Sequence, residues 1–375
     1  MKPISILPPA VLACVLGSMC VPYRLAAATL TFAPPVAYTT GASSPNGLAL
    51  GDLNGDGHLD VVVANEDNPG TIAVLLGNGD GTLQAPVLYS AGAWPGFVLI
   101  ADFNKDGHMD VAVANRAIGT PGQVLIFLGS GDGTLKAPVT YGPYQDAFSM
   151  AVGDFNRDGK LDIAIADTAS GSLLLGKGDG TFTGGSSIGA SNVTWFAVAD
   201  FNRDHNPDLV ATYNSGLEVQ ILLGNGKGTF TLSSSHKVAT PPISVVARDL
   251  NGDGIPDIAV SDEAVNNLHS NITVLLSSSK GYVAKQYPYG HEPRCIVFGV
   301  FNGRRDIVTA NEFSGTVDVF LNEGKGVYQA PIILPIGALT AVDVAVGDLN
   351  GDGKQDIVVT DGLIQNGAVH VLLQE

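Results

Sequence analysis

An all-β fold, a seven-bladed β-propeller of four-stranded antiparallel blades, is predicted by three features of this 375-residue sequence. An acidic nine-residue motif recurs at steps of 46 to 52 residues, and each interval holds four short apolar runs. The run missing from the last interval lies at the N-terminus. The 47 glycines and 21 prolines add many turns and leave little room for helix.

The motif reads DLNGDGHLD at 52–60, DFNKDGHMD at 102–110, DFNRDGKLD at 154–162 and DFNRDHNPD at 200–208. It returns as DLNGDGIPD at 249–257 and DLNGDGKQD at 348–356, with a worn copy, VFNGRRDI, from Val300. Self-similarity at a period of about fifty residues marks a repeat architecture with one supersecondary unit per repeat.

Within each unit an apolar segment such as GLALGD leads into the motif, VVVAN follows, and TIAVLLGN comes after a short turn. A GDGT-type turn then leads to a fourth run, LQAPVLY. Runs of Val, Ile, Leu and Ala bounded by Gly, Asn and Asp read as strands. The inner runs do not alternate with polar residues, which suits strands buried on both faces. The glycine turns suit tight hairpins that need positive φ. The last unit stops at VHVLLQE, and TFAPPVAY (31–38) matches TLQAPVLY (82–89). An N-terminal strand that completes the last blade closes a ring, which a solenoid does not need.

Places one, three, five and nine of the motif carry side-chain oxygens. They are Asp52, Asn54, Asp56 and Asp60 in the first copy, and Asp102, Asn104, Asp106 and Asp110 in the second. Asp154, Asn156, Asp158 and Asp162 follow, then Asp200, Asn202, Asp204 and Asp208. Asp249, Asn251, Asp253 and Asp257 form the fifth set, and Asp348, Asn350, Asp352 and Asp356 the last. An all-oxygen set wrapped by glycine-rich backbone suits Ca²⁺, which takes six to eight oxygens at about 2.3–2.6 Å. Place seven is His58, His108, Lys160, Asn206, Ile255 or Lys354; with no shared side-chain chemistry, the common donor there is the backbone carbonyl. Place two is always Leu or Phe, as for a residue packed beneath the loop. No His or Cys stands at a side-chain ligand place, which disfavours zinc. About six structural calcium sites are expected. The His205 loop, with histidine where the others have a place-six glycine, is expected to bind more weakly. The worn copy, with Val300, Arg304 and Arg305 where acids should be, is expected to bind none.

These repeats resemble FG-GAP/VCBS-type units, the blades of integrin-α-like propellers and of many exported bacterial proteins, over about residues 31–375. Where integrin repeats carry Gly-Ala-Pro after the second strand, this chain has Val63-Ala64-Asn65 and Val113-Ala114-Asn115. The resemblance is therefore to the bacterial variant.

The formal charge of −17 is accounted for by the loops: six intact copies hold 18 of the 36 acidic residues, and six Ca²⁺ would leave about −5. The acidity thus needs no basic partner, and it argues against nucleic acid, which wants a basic face. Residues 1–28 read as an export signal, with Lys2, an apolar stretch, and Ala26 and Ala28 before a cleavage point at Thr29. Residues 29–375 form the propeller domain. The mature chain then carries one cysteine, Cys295, at the start of an apolar run, and no intradomain disulfide. A secreted, periplasmic or cell-surface monomer without a membrane span is expected.

The loops that do not repeat lie on the face opposite the acidic motifs. There, Trp94, Tyr144, Trp195, His291 and Arg294 are the candidate ligand-binding residues, with DEAVNNLHSN (262–271) the longest connection. Aromatic faces beside polar groups suit sugars or peptide side chains, or else plug the channel. No catalytic motif stands out. His291, Glu292, Arg294 and Asp343 are placed to meet at the channel mouth, and an Arg294–Asp343 pair between blades explains two of them. The sequence reads as a calcium-binding recognition module for an extracellular glycan or protein. The alternatives are a polysaccharide lyase or hydrolase acting at the variable face and a purely structural or adhesive module.

Overall fold

The computed structural model describes residues 30–116, 118–262, 270–289, 292–362 and 366–375. The expected export signal, His291 and most of the 262–271 connection lie outside the described residues. Seven four-stranded antiparallel sheets form a ring, and the described residues contain no helix.

Blade 1 consists of Pro45–Gly51, Asp60–Asn65, Gly70–Leu75 and Val87–Gly92, paired in chain order. Blades 2 to 6 begin with Pro95–Ala101, Ala147–Gly153, Val193–Ala199, Pro242–Arg248 and Pro293–Gly299. Blade 6 adds a small hairpin, Asn322–Gly324 with Val327–Tyr328, before its fourth strand. Blade 7 takes Val344–Gly347, Asp356–Thr360 and Ala368–Leu372 from the C-terminal end and Val36–Thr39 from the N-terminal end. The closing strand runs antiparallel, Val36 opposite Val371 and Thr39 opposite Ala368, and Phe32 bridges to Gln374. The ring closes as the sequence predicted.

First strands adjoin first strands around the ring and surround the channel. Each second strand is buried along its whole length, as in DVVVAN of blade 1. Its side chains alternate between two neighbours: Val61 and Val63 pack with Val358 and Val369 of blade 7, while Val62 and Ala64 pack with Val98 and Val111 of blade 2. Both faces must therefore be apolar, which is why the run does not alternate in sequence. Seven such clusters sit between the seven neighbouring pairs of blades. Fully burying one of these valines contributes about 1.5–3 kcal/mol, so the ring is held mainly between blades. Fourth strands form the outer edge and stay largely exposed, as in Val87–Gly92.

Candidate functional site

The first strand of each blade places chemistry at both its ends. At one end it delivers the chain into the acidic loop; at the other, about 20 Å away for a seven-residue strand, it meets the channel mouth.

In the loops, place two packs inward: Leu53, Phe103, Phe155, Leu250 and Leu349 are all at most 5% exposed. Place six is left-handed throughout, with φ of 85° at Gly57 and 66° at His205. Histidine thus keeps the turn that glycine makes elsewhere, as expected. The carboxylate at place one accepts the place-six amide, Gly57 N to Asp52 Oδ2 at 2.9 Å and His205 N to Asp200 Oδ2 at 2.9 Å. Place three accepts the place-five amide, and place five accepts the place-seven amide. In the first loop these bonds leave a second lone pair on Asn54 Oδ1 and on Asp56 Oδ1. Among the described residues no three His, Cys, Asp or Glu side chains converge closely enough to hold an ion in this conformation. Asp102 Oδ1 is already buried without a hydrogen-bond partner among the described residues, which suits a cation.

The sequence assigns place nine to the metal shell, but the structure also gives it a bond set that involves no metal. Asp60 is fully buried; its Oδ2 accepts Leu53 N and its Oδ1 accepts Gly77 N, both at 2.8 Å. One carboxylate thus ties the start of the acidic loop to the chain just beyond the third strand. The same pair of bonds recurs at Asp110, Asp162, Asp208, Asp257 and Asp356. It recurs too at Asp306 of the worn copy, with Phe301 N and Asn322 N at 2.8 Å. The worn loop has lost the acids at places one and five and kept this one. Burial pushes all seven carboxyls up from their ordinary value, Asp208 to about 6. In Asp60 the charges of Asp56 and Asp52 add to the push, the like-charge crowding a dication would relieve. Arg304 and Arg305 face solvent, with Arg304 reaching only the Asn322 carbonyl at 3.4 Å.

At the opposite end, a cavity of about 400 Å³ opens at the channel mouth, lined from all seven blades. A polar arc crosses it. Arg116 pairs with Glu66 at 3.2 Å and lies 3.9 Å from Asp146; Asn46 donates to Glu66; Arg294 reaches Asn46 Oδ1 at 3.4 Å and Glu312 at 2.6 Å. Facing the arc are aromatic rings. Phe148 lies 5.0 Å beneath the Arg116 guanidinium, and Phe97 of blade 2 meets Trp195 of blade 4 edge to face at 5.2 Å. Two rings from non-adjacent blades meeting in this way narrow the channel and floor the cavity.

The candidate ligand residues therefore divide. Trp195 and Arg294 line the cavity, and Trp94 lines an adjoining cleft that shares Asn46, Arg116 and Arg294. Tyr144 instead packs on the core between blades 2 and 3 and lines a separate side cleft with Gly142 and Pro143. Arg294 takes Glu312 as its partner where Asp343 was expected. Asp343 is buried and accepts Leu48 N at 2.9 Å, bonding blade 7 to blade 1. Cys295 is a core residue: burial, and after it the charge of Asp343, pushes its thiol well up, away from nucleophilic character. Glu66, Arg116 and Glu312 were not foreseen. They occupy one repeat column, the residue after the second strand, and an alignment of the units exposes that column.

Comparison with known proteins agrees with the architecture. The FG-GAP-like repeat family matches residues 52–113, 114–165, 154–211, 200–260 and 301–359, the worn copy included. No curated protein sequence matches the chain. Among solved structures it is similar to BBS1N in complex with ARL6DN, with a TM-score of 0.65 at 13% identity over 92% of this chain and 97% of that one. It is also similar to an Agrocybe aegerita lectin that recognises non-reducing terminal N-acetylglucosamine, with a TM-score of 0.53 at 19% identity over 92% of this chain and 86% of that one. At these identities the likeness is one of fold.

Proposed function

The chain belongs to the FG-GAP-like repeat family, and from that premise we propose that it is an exported, calcium-stabilised recognition propeller that binds an extracellular glycan at its channel mouth. The observation that carries the binding site is the cavity itself: aromatic rings on one side and a continuous arginine–glutamate–asparagine arc on the other. Rings supply apolar faces to sugar CH groups, and the arc supplies fixed donors and acceptors to hydroxyls. The charges of the two arginines are balanced by Glu66 and Glu312, which suits a neutral polyol better than a strongly charged ligand. Both glutamates are held by arginine, so they serve more readily as hydrogen-bonding edges than as a free acid–base pair. A propeller of this fold binds a glycan in the lectin, and another binds a protein partner in the BBS1N complex.

Calcium serves the fold in this reading. Places one, three, five and nine with the place-seven carbonyl supply hard oxygen donors in six loops, and bound Ca²⁺ neutralises carboxylates that now repel one another. Metal thereby stabilises the folded state by mass action. Melting with and without chelator checks this, and an identical transition in both would remove calcium from the account. A glycan array probed with calcium-loaded protein, with Arg294→Ala as control, checks the mouth. Binding that the substitution abolishes supports the reading; silence, or binding indifferent to Arg294, refutes it. Product analysis on any hit separates recognition from cleavage.

A further inference from the structure

Place four of the acidic loop is left-handed in every intact copy, with φ of 74° at Gly55, 84° at Gly252 and 71° at Gly351. An L-residue there is disfavoured relative to glycine. Yet three successive blades hold a long cation at this place: Lys105 at 61°, Arg157 at 58° and Arg203 at 62°. All three side chains make the same excursion, into the acidic loop of the next blade. Lys105 Nζ donates to the Gly159 carbonyl, Arg157 Nη1 donates to Asn206 Oδ1 at 3.4 Å, and Arg203 Nη2 donates to the Asp253 carbonyl at 2.8 Å. The acceptors stand at places six, seven and five of the receiving loops.

We infer that Lys105, Arg157 and Arg203 are tethered counter-ions that weaken divalent-ion binding at the three acidic loops they enter. The loops of blades 3, 4 and 5 carry a neighbour's cation. Those of blades 1, 2 and 7 face a glycine at the corresponding place: Gly351, Gly55 and Gly303. One loop of each set also has a counter-ion of its own, Lys160 on Asp158 in blade 3 and Lys354 on Asp352 in blade 7, both at 3.3 Å. A neighbour's cation adds to whatever the loop carries, so each loop that receives one is better neutralised without metal and binds a divalent ion more weakly than it would without it.

The metal-binding half of this inference rests on the calcium reading above; the metal-free half does not. A unit charge a few ångströms from a bound dication, screened at physiological salt, lowers affinity roughly three- to tenfold. The test is the triple variant Lys105→Gln, Arg157→Gln, Arg203→Gln, beside Arg203→Lys, which keeps the charge. In calcium titration by calorimetry, three of the six sites should tighten three- to tenfold in the triple variant, while Arg203→Lys follows the parent. Calcium affinities unmoved by the triple variant overturn the inference. Should the parent bind no calcium, the calcium reading fails, and metal-free melting decides. The triple variant must then melt below the parent at low salt and approach it at high salt; identical melting at both overturns the inference.

Discussion

Replacing Asp306 with alanine isolates what the place-nine carboxylate does without metal, because the worn loop around it lacks the acids of places one and five. Asp306 is fully buried and accepts Phe301 N and Asn322 N at 2.8 Å, with Asn302 N farther off at 3.3 Å. Alanine leaves the first two amides without this acceptor. A buried polar group that loses its partner costs about 1–3 kcal/mol, which gives about 2–6 kcal/mol for the pair. One term opposes this: burial pushes the Asp306 carboxyl up, so its ionised form carries a desolvation cost that alanine removes. A net loss of about 2–4 kcal/mol is expected. Asp306→Asn should lose less, about 1–2 kcal/mol, because the amide oxygen of the new side chain still accepts one N–H. Urea unfolding followed by circular dichroism, with calcium and with chelator, measures both. Calcium bound at the other loops, as proposed, would add the same stabilisation to parent and variant, so the loss at Asp306 should be equal in the two conditions. Asp110→Ala, in an intact loop, should lose more with calcium than with chelator. A loss below about 1 kcal/mol at Asp306 would refute the assignment of the seven aspartates as anchors of the blade hairpins.

Three further outcomes are expected. Burial pushes Asp262 up to about 7, against the lowering bond from Thr273. Its folded value lies above its unfolded one, so the folded state holds the extra proton and stability falls as pH rises from about 4 to about 7. Asp262→Asn should flatten that slope, being more stable than the parent above pH 7 and equal to it near pH 4; parallel stability–pH curves would exclude the buried carboxyl as the source. Val62→Ala, fully buried between blades 1 and 2, should destabilise by about 2 kcal/mol in the same unfolding assay, whereas Val87→Ala on the exposed outer edge should change it by less than about 0.5 kcal/mol. Deleting residues 30–40 strips the fourth strand from blade 7 and bares the edge of Ala368–Leu372. The shortened chain should aggregate or melt without a cooperative transition, and melting like the parent would show that the ring does not depend on this closure.

Sequence alone determined the ring. A fixed period, apolar runs without alternation and an exchanged terminal strand are local or counting properties, and each follows from burial on both faces of strands that repeat. The acidic motif was equally legible because its oxygen-bearing places stay constant while the others drift. The bond set of place nine was not legible, since an aspartate expected to bind metal and one that accepts two amides look identical in a string of letters. Only the survival of Asp306 in a loop without the other acids hinted at it, and only the paired 2.8 Å bonds made it plain. The mouth was decided by tertiary structure. Phe97 and Trp195 are nearly a hundred residues apart in the chain, and the arc from Asp146 to Glu312 draws on blades 1, 2, 3 and 6. Closing the ring brings one end of every first strand to the same small opening, so side chains with no sequence relation become neighbours there. Tyr144, an aromatic in the right kind of connection, was turned instead against the core between two blades. Which way a side chain leaves a strand end depends on the neighbour it meets, and that neighbour belongs to another repeat.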